Sequence, residues 1–128
     1  MATIPVLNVD KPVGSTQFAR IQQRKWIGLT TGDVGAPVAL CNHADRSVKV
    51  GGDFGGDAVV EIQGYIGELD DASLAVDANW LPLTDQSDNF LQLTEAKIEA
   101  VAQVVAYIRP KVTGGTSPSI DVYLIVKE

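Results

Sequence analysis

An all-β fold, an antiparallel β-sandwich, is what the sequence predicts, and three observations predict it. Twelve glycines and six prolines punctuate short apolar segments at fairly regular spacing. Val and Ile are abundant within those segments, as branched side chains are on a pleated surface. The last segment alternates strictly: Ile120, Val122, Leu124 and Val126 share one face, while Asp121, Tyr123, Ile125 and Lys127 share the other. One of those faces is core. At 128 residues the chain fits one domain with one core, large enough to stand without disulfides.

Residues 1–22 read as an extended N-terminal arm. Pro5, Pro12 and Gly14 interrupt a weakly patterned segment that has little local reason to fold alone. Such an arm is mobile or ordered by docking on a neighbouring subunit. It is expected to bind by adding a strand to an open sheet edge. Ile4, Pro5, Val6, Leu7, Val13, Phe18 and Arg20 are its candidate partner-binding residues.

Residues 23–128 make the sandwich. Candidate strands are Lys25–Leu29, Pro37–Leu40, Ser47–Val50, residues 58–66, Trp80–Leu83, Phe90–Leu93, Tyr107–Val112 and residues 120–126. In residues 58–66, Val60, Ile62 and Ile66 alternate with Val59, Glu61, Gln63 and Tyr65, and Gly64 weakens the strand or marks a bulge. Turn signals separate the strands: Thr31-Gly32-Asp33, Gly51-Gly52, Gly55-Gly56-Asp57, Asp85 to Asn89, and Gly114-Gly115. The last of these predicts a hairpin that pairs the final two strands antiparallel.

Thr94 to Val105 is the exception. Thr94 caps a first turn carrying Glu95, and Ile98, Val101, Ala102 and Val105 recur at helical spacing. The same stretch holds β-branched valines, so one short helix or helical turn near residues 95–100, followed by a strand from Val101 to Val105, is the expectation.

Charge and cysteine content narrow the partners. The 16 Asp and Glu outnumber the 10 Lys and Arg, for a net charge of −6, and the longest basic group is Arg24-Lys25. An acidic field repels phosphate, so no nucleic-acid partner is expected. No apolar run approaches the roughly 20 residues that span a bilayer, so no membrane partner is expected. The N-terminus lacks the basic and apolar regions of a secretory signal. Cys41 stands alone and has no intramolecular disulfide partner, which fits assembly in a reducing cytoplasm.

Each constellation with chemical potential has a plainer reading. Cys41, His43 and Asp45 alternate beside a strand, but zinc usually takes a fourth ligand and no second His or Cys exists in this chain. Asp85, Ser87, Asp88 and Asn89 carry hard oxygens for calcium, yet no Gly stands at the sixth position of an EF-hand register, and a polar turn explains them. His43 is the one candidate base for nucleophilic catalysis, and the adjacent Asp70-Asp71 point apart. Gly51-Gly52-Asp53-Phe54-Gly55-Gly56 lacks the Lys-Ser/Thr ending of a phosphate loop and reads as a turn. Trp26 and Trp80 read as core anchors, with sugar stacking as the alternative. Arg109-Pro110 reads as an edge-strand proline beside an arginine that bridges a loop carboxylate. No catalytic residue, cofactor or metal is expected.

In order of features the chain resembles small head decoration, or cement, proteins of tailed bacteriophages. The resemblance covers about residues 24 to 127. It rests on Ala44-Asp45-Arg46-Ser47-Val48, on Gly52-Asp53-Phe54-Gly55-Gly56 before Val59-Val60-Glu61-Ile62-Gln63-Gly64, and on Trp80-Leu81-Pro82-Leu83-Thr84-Asp85. It continues through Tyr107-Ile108-Arg109-Pro110-Lys111-Val112-Thr113-Gly114-Gly115 into the alternating last strand. The resemblance implies a jelly-roll-like sandwich that binds the outside of a phage capsid as a homodimer or homotrimer, without catalysis. The major capsid protein is then the partner, and the virion's capsid surface the location, after assembly in the host cytoplasm. The alternative is a carbohydrate-binding or adhesin-like module of a phage tail or spike, using Trp26 or Trp80 against sugar rings.

Overall fold

The computed structural model describes residues 2–12, 20–39, 45–103 and 105–127, and they form two stacked sheets. In chain order the strands are β1 (Thr3–Ile4), β2 (Leu7–Pro12), β3 (Arg20–Leu29), β4 (Val34–Gly35), β5 (Val38–Ala39), β6 (Asp45–Asp53) and β7 (Val59–Tyr65). A single-turn helix α1 (Asp71–Leu74) and a 3-10 turn (Asp77–Asn79) follow. Then come β8 (Leu81–Pro82), β9 (Gln92–Leu93), β10 (Lys97–Ala100), β11 (Tyr107–Thr113) and β12 (Ser119–Lys127).

One sheet runs β10, β6, β12, β3, β2. The other runs β1, β4, β11, β7, β8, with β5 also on β11 and β9 also on β7. From β3 onward the chain passes repeatedly between the sheets, and its early strands pair with its late ones in reverse order. Thus β3 meets β12, β4 and β5 meet β11, β6 meets β10, and β7 meets β8 and β9. That is the winding of a jelly roll. Pairing is antiparallel except between β1 and β4.

The core lies between the sheets. Ile120, Val122, Leu124 and Val126 of the last strand are all buried and face Val60, Ile62, Ile108 and Val112 of the other sheet's strands within one cluster. Fully burying an aliphatic side chain contributes about 1.5–3 kcal/mol, so alternation along β12 is a large local commitment to that face. β3 departs from alternation. Trp26 and Leu29 are three residues apart, yet both are buried, which a regular strand forbids. A bulge resolves the conflict: Ile120 pairs with Leu29 and Val122 with Trp26, so β3 carries one extra residue. Gly28 sits there with φ of +75°, and its N–H donates to Asp121 Oδ1.

Several expectations are corrected, among them the turn at Gly51-Gly52, which lies inside β6. Residues 94–105 hold no helix; β10 is a strand on the edge of its sheet, and the stretch from Val101 to Val105, described except for residue 104, is irregular rather than a strand. The short helix lies instead at α1, where Asp70 caps the turn by accepting from the Ser73 N–H. The Gly114-Gly115 turn is not a hairpin: β11 and β12 belong to different sheets, and the two glycines, at φ of +72° and +80°, carry the chain around the corner between them. Pro110 lies on an interior strand, not an edge. Val112 donates to Asp33 and accepts from Gly32 on the β4 side, so Pro110, two residues earlier, turns its missing N–H to the gap between β4 and β5. Finally, the arm is built into the chain's own sandwich over β1 and β2, where β2 pairs with β3 along its whole length.

Close approach explains Gly35 and Gly64. A Cβ on Gly35 would fall 2.5 Å from Pro110 Cδ and 2.6 Å from the Trp26 indole, and one on Gly64 would meet Leu83 Cδ2 at 2.5 Å. Gly64 therefore marks no bulge: pairing of β7 with β11 runs unbroken through it.

Candidate interaction surface

Outward positions of the β10, β6, β12, β3, β2 sheet follow from the same alternation that fills the core. Register places Ile98, Lys49, Tyr123, Lys25 and Leu7 in one transverse row across all five strands. The next row holds Ala100, Ser47, Ile125 and Gln23. Ile98 is 68% exposed, Leu7 47% and Ile125 40%. Gln23, Ser47, Lys49, Ile98, Tyr123 and Ile125 line a shallow depression, with the Lys49 Nζ 6.0 Å from the centre of the Tyr123 ring. The surface is open and aliphatic, with a phenol at its centre and lysines on the neighbouring strands. Alternating apolar and cationic groups on an open sheet face suit a protein surface better than a small molecule.

Charge is unevenly spread along the chain. Residues 51–96 contain ten Asp and Glu and no Lys or Arg. After the last residues of β6, that segment supplies β7, α1, the 3-10 turn, β8 and β9, and these three strands belong to the second sheet. Much of the acidic stretch therefore lies on the sheet opposite Lys25 and Lys49.

The second sheet's outer face is occupied by the chain itself. Arg109 donates from Nε to Gln63 and from Nη2 to Asp77, while Lys111 donates to the other oxygen of Asp77. The Trp80 ring covers the Arg109 guanidinium, and Trp80 Nε1 donates to the Leu74 carbonyl. Arg109 bridges a carboxylate outside the strands, in keeping with its expected role. The bond from Lys111 holds the Asp77 carboxyl below its ordinary pKa, and burial lowers that of Arg109 against the pull of Asp77. Every ionisable group in this cluster is spent on another, so it has no free acid, base or nucleophile.

Sequence-predicted residues are scattered. Ile4 and Val6 pack against the core, so they serve this chain's own sandwich; Pro5 and Leu7 are exposed, and Leu7 joins the candidate surface. Arg20 opens β3, and Val13 and Phe18 lie outside the described residues. Cys41 and His43 also lie outside them. Among the described residues no group of three His, Cys, Asp or Glu is placed to hold a metal ion, and no helix is long and apolar enough to cross a membrane. Asp85 accepts from the N–H groups of Ser87 and Asn89, closing its own turn. Trp26 and Trp80 are both buried, and Trp26 Nε1 donates to the Ala36 carbonyl, so neither indole offers a face to a sugar ring. Sequence reasoning missed Lys25, Lys49, Ile98 and Tyr123 as a set. Tyr123 was legible from alternation in β12, but the row needs strands far apart in sequence.

A comparison with protein-family models finds no match, and neither does one with curated proteins. The fold is similar to that of a solved structure, the SPBc2 prophage-derived protein YomS. The TM-score is 0.57 at 10% sequence identity, over 84% of this chain and 95% of that one.

Proposed function

We propose that the chain is a non-catalytic structural protein of a phage virion, a head decoration protein that binds the outer capsid lattice and stabilises the head. One observation carries the reading: an outer sheet face on which Ile98, Leu7 and Ile125 are exposed between Lys25, Lys49 and Tyr123, on an acidic chain. Likeness in fold to a prophage-derived protein supports a phage setting. The resemblance in turn and strand order to cement proteins points to the head, with assembly in the host cytoplasm and residence on the capsid surface.

Physically, the role needs a partner surface bearing carboxylates and apolar side chains. Lysines steer the encounter and set register, while the aliphatics supply contact area. On a repeated lattice, many modest contacts multiply through avidity, so no single deep pocket is required. Of the arm, Leu7 belongs to this face, whereas Ile4 and Val6 add little to docking because they are engaged at home.

Co-sedimentation with expanded capsids of the phage that encodes the chain tests this. The parent chain pellets with capsids at low salt, and less at high salt, as screening weakens the lysine contacts. Replacing Lys25 and Lys49 together by Glu lowers capsid affinity by about tenfold or more, whereas Asp71→Asn, on α1 at the other sheet, leaves it unchanged. Absence of co-sedimentation, or binding indifferent to the Lys25 and Lys49 exchange, overturns the proposal.

A further inference from the structure

We propose that β10 is a self-complementary edge through which two copies of this chain pair about a two-fold axis at Ile98, joining two five-stranded sheets into one of ten. The inference stands independently of capsid binding. β10 ends its sheet, with β6 on one side. The Val101 N–H donates to the Arg46 carbonyl of β6. In an antiparallel ladder bonding direction alternates, so Glu99 and Lys97 also bond toward β6, while the N–H and C=O of Ile98 and Ala100 point away from it. Among the described residues, no other backbone group bonds to those of Ile98 and Ala100. Ile98 is also 68% exposed, in line with the aliphatic row of the outer face.

Side-chain order selects the occupant and the register. With the axis at Ile98, the two Ile98 residues exchange both backbone hydrogen bonds, and Lys97 of each copy stands opposite Glu99 of the other. Shifting the axis to Glu99 sets the two Glu99 carboxylates against each other, which is unfavourable. Within one chain Lys97 Nζ already lies 3.1 Å from Glu99, and Glu95 and Asp85 add further negative charge near it. In the pair, those charges form an alternating ring of two lysines and two glutamates. A lone lysine on an edge strand deters pairing; a lysine with a glutamate two residues on deters strangers and admits its own kind. The pairing also brings the two outer faces side by side, Ile98 next to Ile98, which doubles the surface offered to a lattice.

Sedimentation velocity on the full chain over a range of concentrations tests this without any capsid, so its failure leaves capsid docking untouched. The parent chain shows a concentration-dependent dimer. Ile98→Pro removes an outward N–H without breaking a bond to β6; it is monomeric with the parent's circular dichroism. Lys97→Glu and Glu99→Lys each weaken the dimer by about tenfold or more, because each sets like charges opposite. Mixed in equal amounts, those two single variants form a heterodimer, since every cross-strand pair is again opposite in sign. This recovery separates pairing from misfolding. A parent chain monomeric at every concentration, single variants that associate as tightly as the parent, or a mixture that fails to recover overturns the proposal.

Discussion

The guanidinium carbon of Arg109 lies 4.3 Å from the centre of the Trp80 ring. Arg109 is in the middle of an interior strand, and Trp80 ends the excursion between β7 and β8. Tyr65 also packs against Trp80, with ring centres 5.5 Å apart and planes tilted by 44°, and its hydroxyl donates to the Glu68 carbonyl. The segment between β7 and β8 is thereby fastened to the outer face of one sheet.

Asp77 is the clamp's pivot, since one carboxylate serves both Arg109 and Lys111. Asp77→Ala leaves a buried guanidinium without its anion. A loss of about 1–3 kcal/mol is expected, below the figure for a fully buried pair because Asp77 is itself 44% exposed. Urea unfolding of the two chains measures the difference, and an unchanged midpoint would show the clamp to be idle.

Acid acts through the same carboxyl. Its folded-state pKa lies below the ordinary 3.8, chiefly through the bond from Lys111, so the unfolded chain binds the proton more readily. Its contribution is therefore fully present above that ordinary value and is lost as pH falls through the lower folded-state pKa. Melting temperature followed from pH 6 downward should drop more steeply below about pH 4 for the parent than for Asp77→Asn, which has no proton to take up.

Gly35 is predicted to tolerate nothing larger. Gly35→Ala drives a methyl toward the Pro110 ring and the Trp26 indole, and overpacking of this kind typically costs about 1–3 kcal/mol. Thermal unfolding gives the magnitude. Hydrogen exchange at the Trp26 indole N–H, bonded to Ala36, gives the location, and parent-like protection there would refute the clash.

Much of the fold was legible as strands. All eight candidate strands contain or overlap an observed one, because alternation and glycine spacing are local consequences of a half-buried pleat. β10 was misread because Ile98, Val101, Ala102 and Val105 have helical spacing. Its position at a sheet edge removed any need for that spacing to bury one stripe, and Ile98 points to solvent instead. The bulge at Gly28 was hidden for a similar reason: it exists to bring Trp26 and Leu29 to one side, a demand made by the opposing sheet. The candidate surface was only partly readable, since Lys25, Lys49 and Tyr123 sit on three different strands.

By itself the sequence determined which residues face inward along regularly alternating strands such as β12, since the side-chain period of two and the cost of exposing Val and Ile are properties of short segments. Only the tertiary structure decided which strand lies beside which. Backbone hydrogen-bonding groups are alike in every strand, so pairing of β3 with β12 from opposite ends of the chain is chosen by closing one shared core, as is the placing of Gly114-Gly115 at a corner.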